Sequence, residues 1–201
     1  QTNFQVAAGI EQWRQFEHEG LIKFGFTQDP REAQVLVFFT DSFPDSGGPG
    51  GLNVAGNTCA QLFTPAQTQL PNYRQKPVVI ELSTMINHTP ERMIGASAHE
   101  FGHALGIKEH SPYRDDLMYV DRIVTGLSAG DKATFRLLYK RATLHLDHLS
   151  RSIGRTNQSI DQFHRAGSHF ARRVIAPLPL DQFNKAIHFP EPCIVHRHVP
   201  A

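Results

Sequence analysis

Residues 99–110 read HEFGHALGIKEH, two histidines four residues apart with a glutamate directly after the first. On a helix, positions four apart lie about 40° from each other around the axis, so the imidazoles of His99 and His103 point the same way. Such a pair clamps a metal ion. A catalytic zinc takes three protein ligands and keeps a fourth position for water, so the third ligand has to arrive from another direction. Gly106 provides the means, because glycine takes the left-handed conformation that ends a helix and turns the chain back. His110 follows that turn. Glu100 can lean over the metal without binding it, take a proton from bound water and later deliver it to a leaving amine. A buried helix with two incidental histidines is the bland alternative, and it leaves the glycine and the third histidine as coincidences.

HEFGHALG, the turn, His110-Ser111 and the later Leu117-Met118-Tyr119 resemble the metzincin zinc peptidases, most of all the matrixin branch and its bacterial relatives. The resemblance implies a peptidase with His99, His103 and His110 as ligands of one catalytic zinc and Glu100 as the base. It also implies that Met118 sits in a turn forming a hydrophobic floor under the metal. One departure matters. The family pattern has two residues between the glycine and the third ligand, whereas Ile107, Lys108 and Glu109 separate Gly106 from His110. Strict counting assigns Glu109, and a carboxylate can bind zinc. His110 is preferred, because a turn easily absorbs one extra residue and His110-Ser111 keeps the family's HS pair. Glu109 remains the alternative.

The elements that must position these residues are legible in order. Val6, Ile10, Trp13 and Phe16 recur at helical spacing, which predicts an amphipathic helix over 4–19 ending near Gly20. LIKFGF (21–26) predicts a strand with Ile22, Phe24 and Phe26 on one face, and VLVFF (35–39) a buried central strand. The strand that opens a matrixin domain has no counterpart in this stretch. DSGGPGG (45–51) lacks the context of a phosphate loop and reads as a surface loop. Asp41 and Asp45 offer carboxylates to calcium, without further support. No histidine lies between His18 and His88, which argues against the second, structural zinc of matrixins.

LNVAGNTCAQLF (52–63) aligns with the strand that rims the metzincin cleft, where an extended substrate pairs through its backbone. Val54, Ala55, Gly56 and Asn57 are the expected substrate-binding rim, with Gly56 marking a close approach of another backbone. Residues 64–76 read as an exposed loop and PVVIELS (77–83) as a further strand. Thr89-Pro90-Glu91 is a helix start, so the active-site helix is expected from about Pro90 to Gly106. After Met118, the segment from Tyr119 to Ile123 is expected to wall the primed-side specificity pocket. Ser128 with Asp131 three residues on caps a helix over 127–141 that resembles the matrixin closing helix. The resemblance covers residues 4–141 and is specific only at 99–119.

Beyond 141 the family pattern stops. Leu146, Leu149, Ile153, Ile160, Phe163 and Phe170 predict one or two helices to about Arg173, packed on the domain or on a second subunit. Residues 1–140 hold 12 basic and 15 acidic side chains and residues 141–201 hold 8 and 4, so the tail is basic. That charge reads as a solvated face, and no nucleic-acid partner is expected. Cys193 with His196 and His198 lacks a second metal-binding pair. As a thiolate blocking the catalytic zinc, Cys193 sits in EPCIVHR, a poor match to the matrixin switch motif.

The fold expected is α+β: a metzincin-like catalytic domain over 1–141, with a twisted mixed sheet, active-site helix, Met-turn and closing helix. A helical, basic, Pro-ended C-terminal extension over 142–201 follows. The function expected is a zinc endopeptidase acting on extended polypeptides, without a membrane span and with oligomers open through the extension. The rival is a latent or non-catalytic zinc-containing binding protein whose extension masks the cleft or engages a partner. Cys59 and Cys193, the only cysteines, fit one disulfide outside the cytosol or two thiols inside it. A secreted or extracytoplasmic location is expected.

Overall fold

A computed structural model of the chain describes residues 2–41, 43, 54–60, 77–121, 124–152, 173–177 and 194–195. Helix α1 (Thr2–Glu11) tightens into a 3-10 helix over Gln12–Glu17, where the sequence predicts one α-helix to residue 19. The tighter coil has a packing reason. Residues three apart line up along a 3-10 helix, and Trp13 and Phe16 are both fully buried. Gly20, at φ +69°, then reverses the chain, with Leu21 N donating to Phe16 O at 3.1 Å.

Among the described residues the strands are β1 (Phe24–Phe26), β2 (Val35–Thr40), β3 (Gly56–Ala60), β4 (Val78–Ser83), β5 (Arg173–Pro177) and β6 (Ile194–Val195). They form one mixed sheet in the order β1-β5-β2-β4-β3-β6. β1, β5, β2 and β4 run parallel, and β3 is antiparallel to both β4 and β6. β2 and β4 carry the β-branched runs read as strands from sequence, and Val35, Val37, Ile80 and Leu82 are buried on the face turned to the helices. The other face buries Ala33, Leu36, Phe38 and Val79, with Cys59 packed against them. Phe26 departs from the expected apolar face: as the last residue of the short terminal strand it is 42% exposed, while Phe24 is buried.

The C-terminal extension begins as helix, as expected, and returns to the sheet as strands past the expected helices. Helix α3 (Ala129–Ser152) runs through residue 141 without a break, and β5 and β6 bring later segments back to the sheet. β5 lies between β1 and β2, in register Phe24↔Arg173 and Val35↔Ile175. Its RVIAP sequence is β-prone, and it fills the gap between two strands that do not pair with each other. The helices expected over 153–172 fall outside the described residues, as do Cys193, His196 and His198.

Helix α2 (Pro90–Ala104) starts as expected: Thr89 Oγ1 accepts from Arg92 N at 3.3 Å and Pro90 occupies the first turn. α1 crosses it at close range. A Cβ on Gly9 would lie 2.1 Å from Ser97 Oγ and 2.3 Å from Ile94 O, so the crossing requires glycine. α3 closes the core, with the Phe135 ring 4.4 Å from Phe16 and 5.2 Å from Trp13. Trp13 Nε1 donates to Ala98 O at 2.9 Å, which satisfies the buried indole N–H. Each such aromatic stabilises the fold by about 1.5–3 kcal/mol through burial. At the rim, Arg136 pairs with Glu19 at 2.7 Å and lies over the Phe16 ring.

Candidate metal centre

His99, His103 and His110 come together with their ligand atoms all within 4.8 Å of one another. α2 presents the first two, which are 1% and 5% exposed. Their outer nitrogens are fixed by backbone: His99 Nδ1 lies 2.6 Å from Leu117 O and His103 Nδ1 lies 2.6 Å from Ile107 O. A carbonyl oxygen only accepts, so each Nδ1 carries the proton and each Nε2 of the neutral ring carries a lone pair. Those two Nε2 atoms face each other at 3.0 Å. Two lone pairs at that range repel unless a cation stands between them, and nitrogen ligands on a tetrahedral zinc sit about 3.3 Å apart. The donor set therefore fits a metal ion.

Gly106, at φ +106°, makes the turn that brings in the third imidazole. Gly106 N donates to His103 O at 2.9 Å and Ile107 N to Gly102 O at 3.1 Å, closing the helix end. The longer loop is absorbed as expected. Glu109 is exposed and outside the cluster, while the His110 ring stacks on His99 at 5.4 Å and meets His103 edge-on at 5.0 Å. Ser111 anchors this arm: its N–H donates to Met118 O at 2.8 Å and its hydroxyl to the buried Asp116 carboxylate, which also accepts from Ser128 Oγ.

Met118 is 2% exposed and lies against Gly102, between the two helix histidines. A Cβ on Gly102 would meet Met118 Sδ at 2.6 Å and Trp13 Cζ2 at 2.9 Å. Gly102→Ala is therefore expected to lower stability by about 1–3 kcal/mol and to weaken metal binding, checked by thermal unfolding with and without zinc. The turn carrying Met118 hangs on Asp131: its carboxylate accepts from Leu117 N at 2.7 Å, Met118 N at 3.1 Å and Ser128 N at 2.8 Å. Sequence reading finds Asp131 as a helix cap and misses this second duty.

Glu100, 1% exposed, reaches strand β3. Thr58 Oγ1 lies 2.6 Å from its Oε2, and a Cβ on Gly56 would lie 2.7 Å from its Oε1. Gly56 does mark a close approach, of the Glu100 side chain and not of a backbone. No family model, curated protein or solved structure matches this chain.

The other expected substrate contacts are dispersed. Val54 is 3% exposed. Ala55 O accepts from Ser83 N at 3.0 Å and Asn87 Nδ2 at 2.6 Å. Asn57 Nδ2 donates to Glu81 Oε2 at 3.1 Å on the sheet face opposite Glu100. Tyr119 is partly exposed and bridges to Ser111, whereas residues 122 and 123 of the expected pocket wall lie outside the described residues. So does Asp45, and the Asp41 carboxylate accepts from Thr84 Oγ1 at 2.7 Å. Sequence reading misses Thr58: its place two residues after Gly56 puts the two on one face of the strand, but nothing there points to Glu100.

Proposed function

We propose that the chain is a metzincin-like zinc endopeptidase. One observation carries the reading: a buried glutamate, Glu100, adjoins the first of three clustered imidazoles and is held by hydrogen bonding against a sheet strand. A structural zinc site is closed by four protein ligands and needs no base, whereas a catalytic one keeps a position open. Zinc bound by His99, His103 and His110 would act as a Lewis acid and lower the pKa of a water. Glu100 is placed to take a proton from a water at that site and to return it to the leaving amine.

Strand β3 supports the substrate class. Ala55 O faces β4, and backbone groups alternate sides along a strand, so the N–H and C=O of Gly56 and Thr58 point to the sheet's outer side. An extended peptide can add there as a further strand. A second reading, a latent form, is favoured by β6, which already occupies the neighbouring Cys59 and Ala60 on that side. Cys59 is disulfide-bonded, which also supports an extracytoplasmic location.

The test is hydrolysis of a quenched-peptide library by the full chain, native, chelator-treated and zinc-restored, with zinc measured on each. Cleavage at about one zinc per chain, lost on chelation and regained with zinc, is the expected result. Zinc without cleavage, followed by cleavage once the disulfide is reduced, supports the latent reading. Binding no zinc at all would sink both. Truncation at residue 141 is a poor substitute, because it removes β5 from the middle of the sheet.

A further inference from the structure

We propose that Thr58 is a positioning residue for Glu100, an inference that rests on the peptidase reading and gives the base its orientation. A glutamate side chain has three rotatable bonds, and freezing it costs rotamer entropy that a free carboxylate recovers by swinging away. Two residues of β3 prevent this. Thr58, 2% exposed, places its hydroxyl 2.6 Å from Glu100 Oε2 and 3.0 Å from the Glu100 backbone oxygen. The bond to the charged oxygen is the stronger of the two. The hydroxyl has one proton to share between these two acceptors, and the shorter approach gives most of it to Oε2. Gly56, on the same face of β3, leaves open the space the carboxylate fills: a Cβ there would lie 2.7 Å from Glu100 Cγ and from Oε1. Oε2 is thus held by a donor and Oε1 by shape, and the base stands ready before substrate arrives.

This arrangement predicts which side of catalysis Thr58 serves. Thr58→Val keeps the volume and removes the donor, and Thr58→Ser keeps the donor. In the zinc-loaded chain, Thr58→Val is expected to lower kcat about tenfold to a hundredfold with KM and zinc content unchanged, and Thr58→Ser to restore most of it. A second readout needs no activity: urea unfolding of the zinc-free chain in a double-mutant cycle of Thr58→Val and Glu100→Ala. If the hydroxyl holds the carboxylate, Thr58→Val shifts the unfolding equilibrium about tenfold or more with Glu100 present and much less in the Glu100→Ala background. Additive costs in that cycle would overturn the proposal. So would a Thr58→Val enzyme within twofold of native kcat, or equal loss in Thr58→Ser. Should the native chain cleave no peptide, the peptidase reading fails on its own account and the unfolding cycle still decides whether Thr58 positions Glu100.

Discussion

Glu100→Gln is expected to remove peptide hydrolysis while leaving zinc in place. The carboxylate is not part of the His99, His103 and His110 cluster that could hold the metal, so metal content measured on the purified variant should match the native chain. Glutamine has the shape of glutamate, and its amide oxygen can still accept from Thr58 Oγ1, which lies 2.6 Å from Oε2 in the native chain. The Gly56 side of the pocket is likewise undisturbed, so the change in unfolding free energy should stay under about 1.5 kcal/mol, the difference between a charged and a neutral acceptor. What glutamine cannot do is take a proton. General-base catalysis contributes about 10²- to 10⁴-fold, and kcat is expected to fall by that much with KM little changed. A variant that keeps a tenth or more of native kcat would mean that another group activates the water. A variant that loses zinc would mean that Glu100 is a ligand, and the catalytic assignment would have to be redrawn.

The centre of this site was legible because its chemistry is local. His99, Glu100 and His103 are spaced by helix geometry alone, and Thr89-Pro90 and Gly106 mark the ends of that helix. The three-residue gap before His110 reads as absorbable because a turn has few constraints, and in the structure Glu109 is exposed while His110 lies with His99 and His103. What the sequence conceals is everything set by contact between distant segments. Thr58 and Glu100 are 42 positions apart, and nothing in either neighbourhood announces the bond. Gly56 is readable as a close approach, but an empty Cβ position does not say what fills it. The C-terminal extension shows the same limit on a larger scale. Its apolar spacing beyond residue 141 reads as helix, and α3 does continue to Ser152. Arg173–Pro177 becomes a strand because a slot between β1 and β2 is there to receive it, and that slot is a property of the sheet.

Asp131→Ala is expected to be the most destabilising single change near the site, because one carboxylate satisfies three backbone donors. Oδ2 accepts from Leu117 N at 2.7 Å and Ser128 N at 2.8 Å, and Oδ1 from Met118 N at 3.1 Å. Asp131 is 2% exposed, and Leu117 and Met118 are 0% and 2% exposed, so no water takes its place. Each orphaned buried donor costs about 1–3 kcal/mol, and a total loss of roughly 3–5 kcal/mol is expected from urea unfolding of the zinc-free chain. Asp131→Asn keeps one accepting oxygen and should lose less, which preserves a measurable protein if the alanine variant does not fold. The effect should reach the metal through a short path. Leu117 O receives the His99 Nδ1 proton at 2.6 Å, and the carbonyl that orients a ligand moves with the peptide Asp131 holds. Loss of such an outer partner weakens metal binding about 10- to 100-fold, so saturating zinc should stabilise the asparagine variant less than the native chain, by about 1.4–2.7 kcal/mol. An equal increment of zinc stabilisation in both would separate the two roles: Asp131 would then hold the turn without setting the histidine, and the orientation of His99 would belong to helix α2 alone.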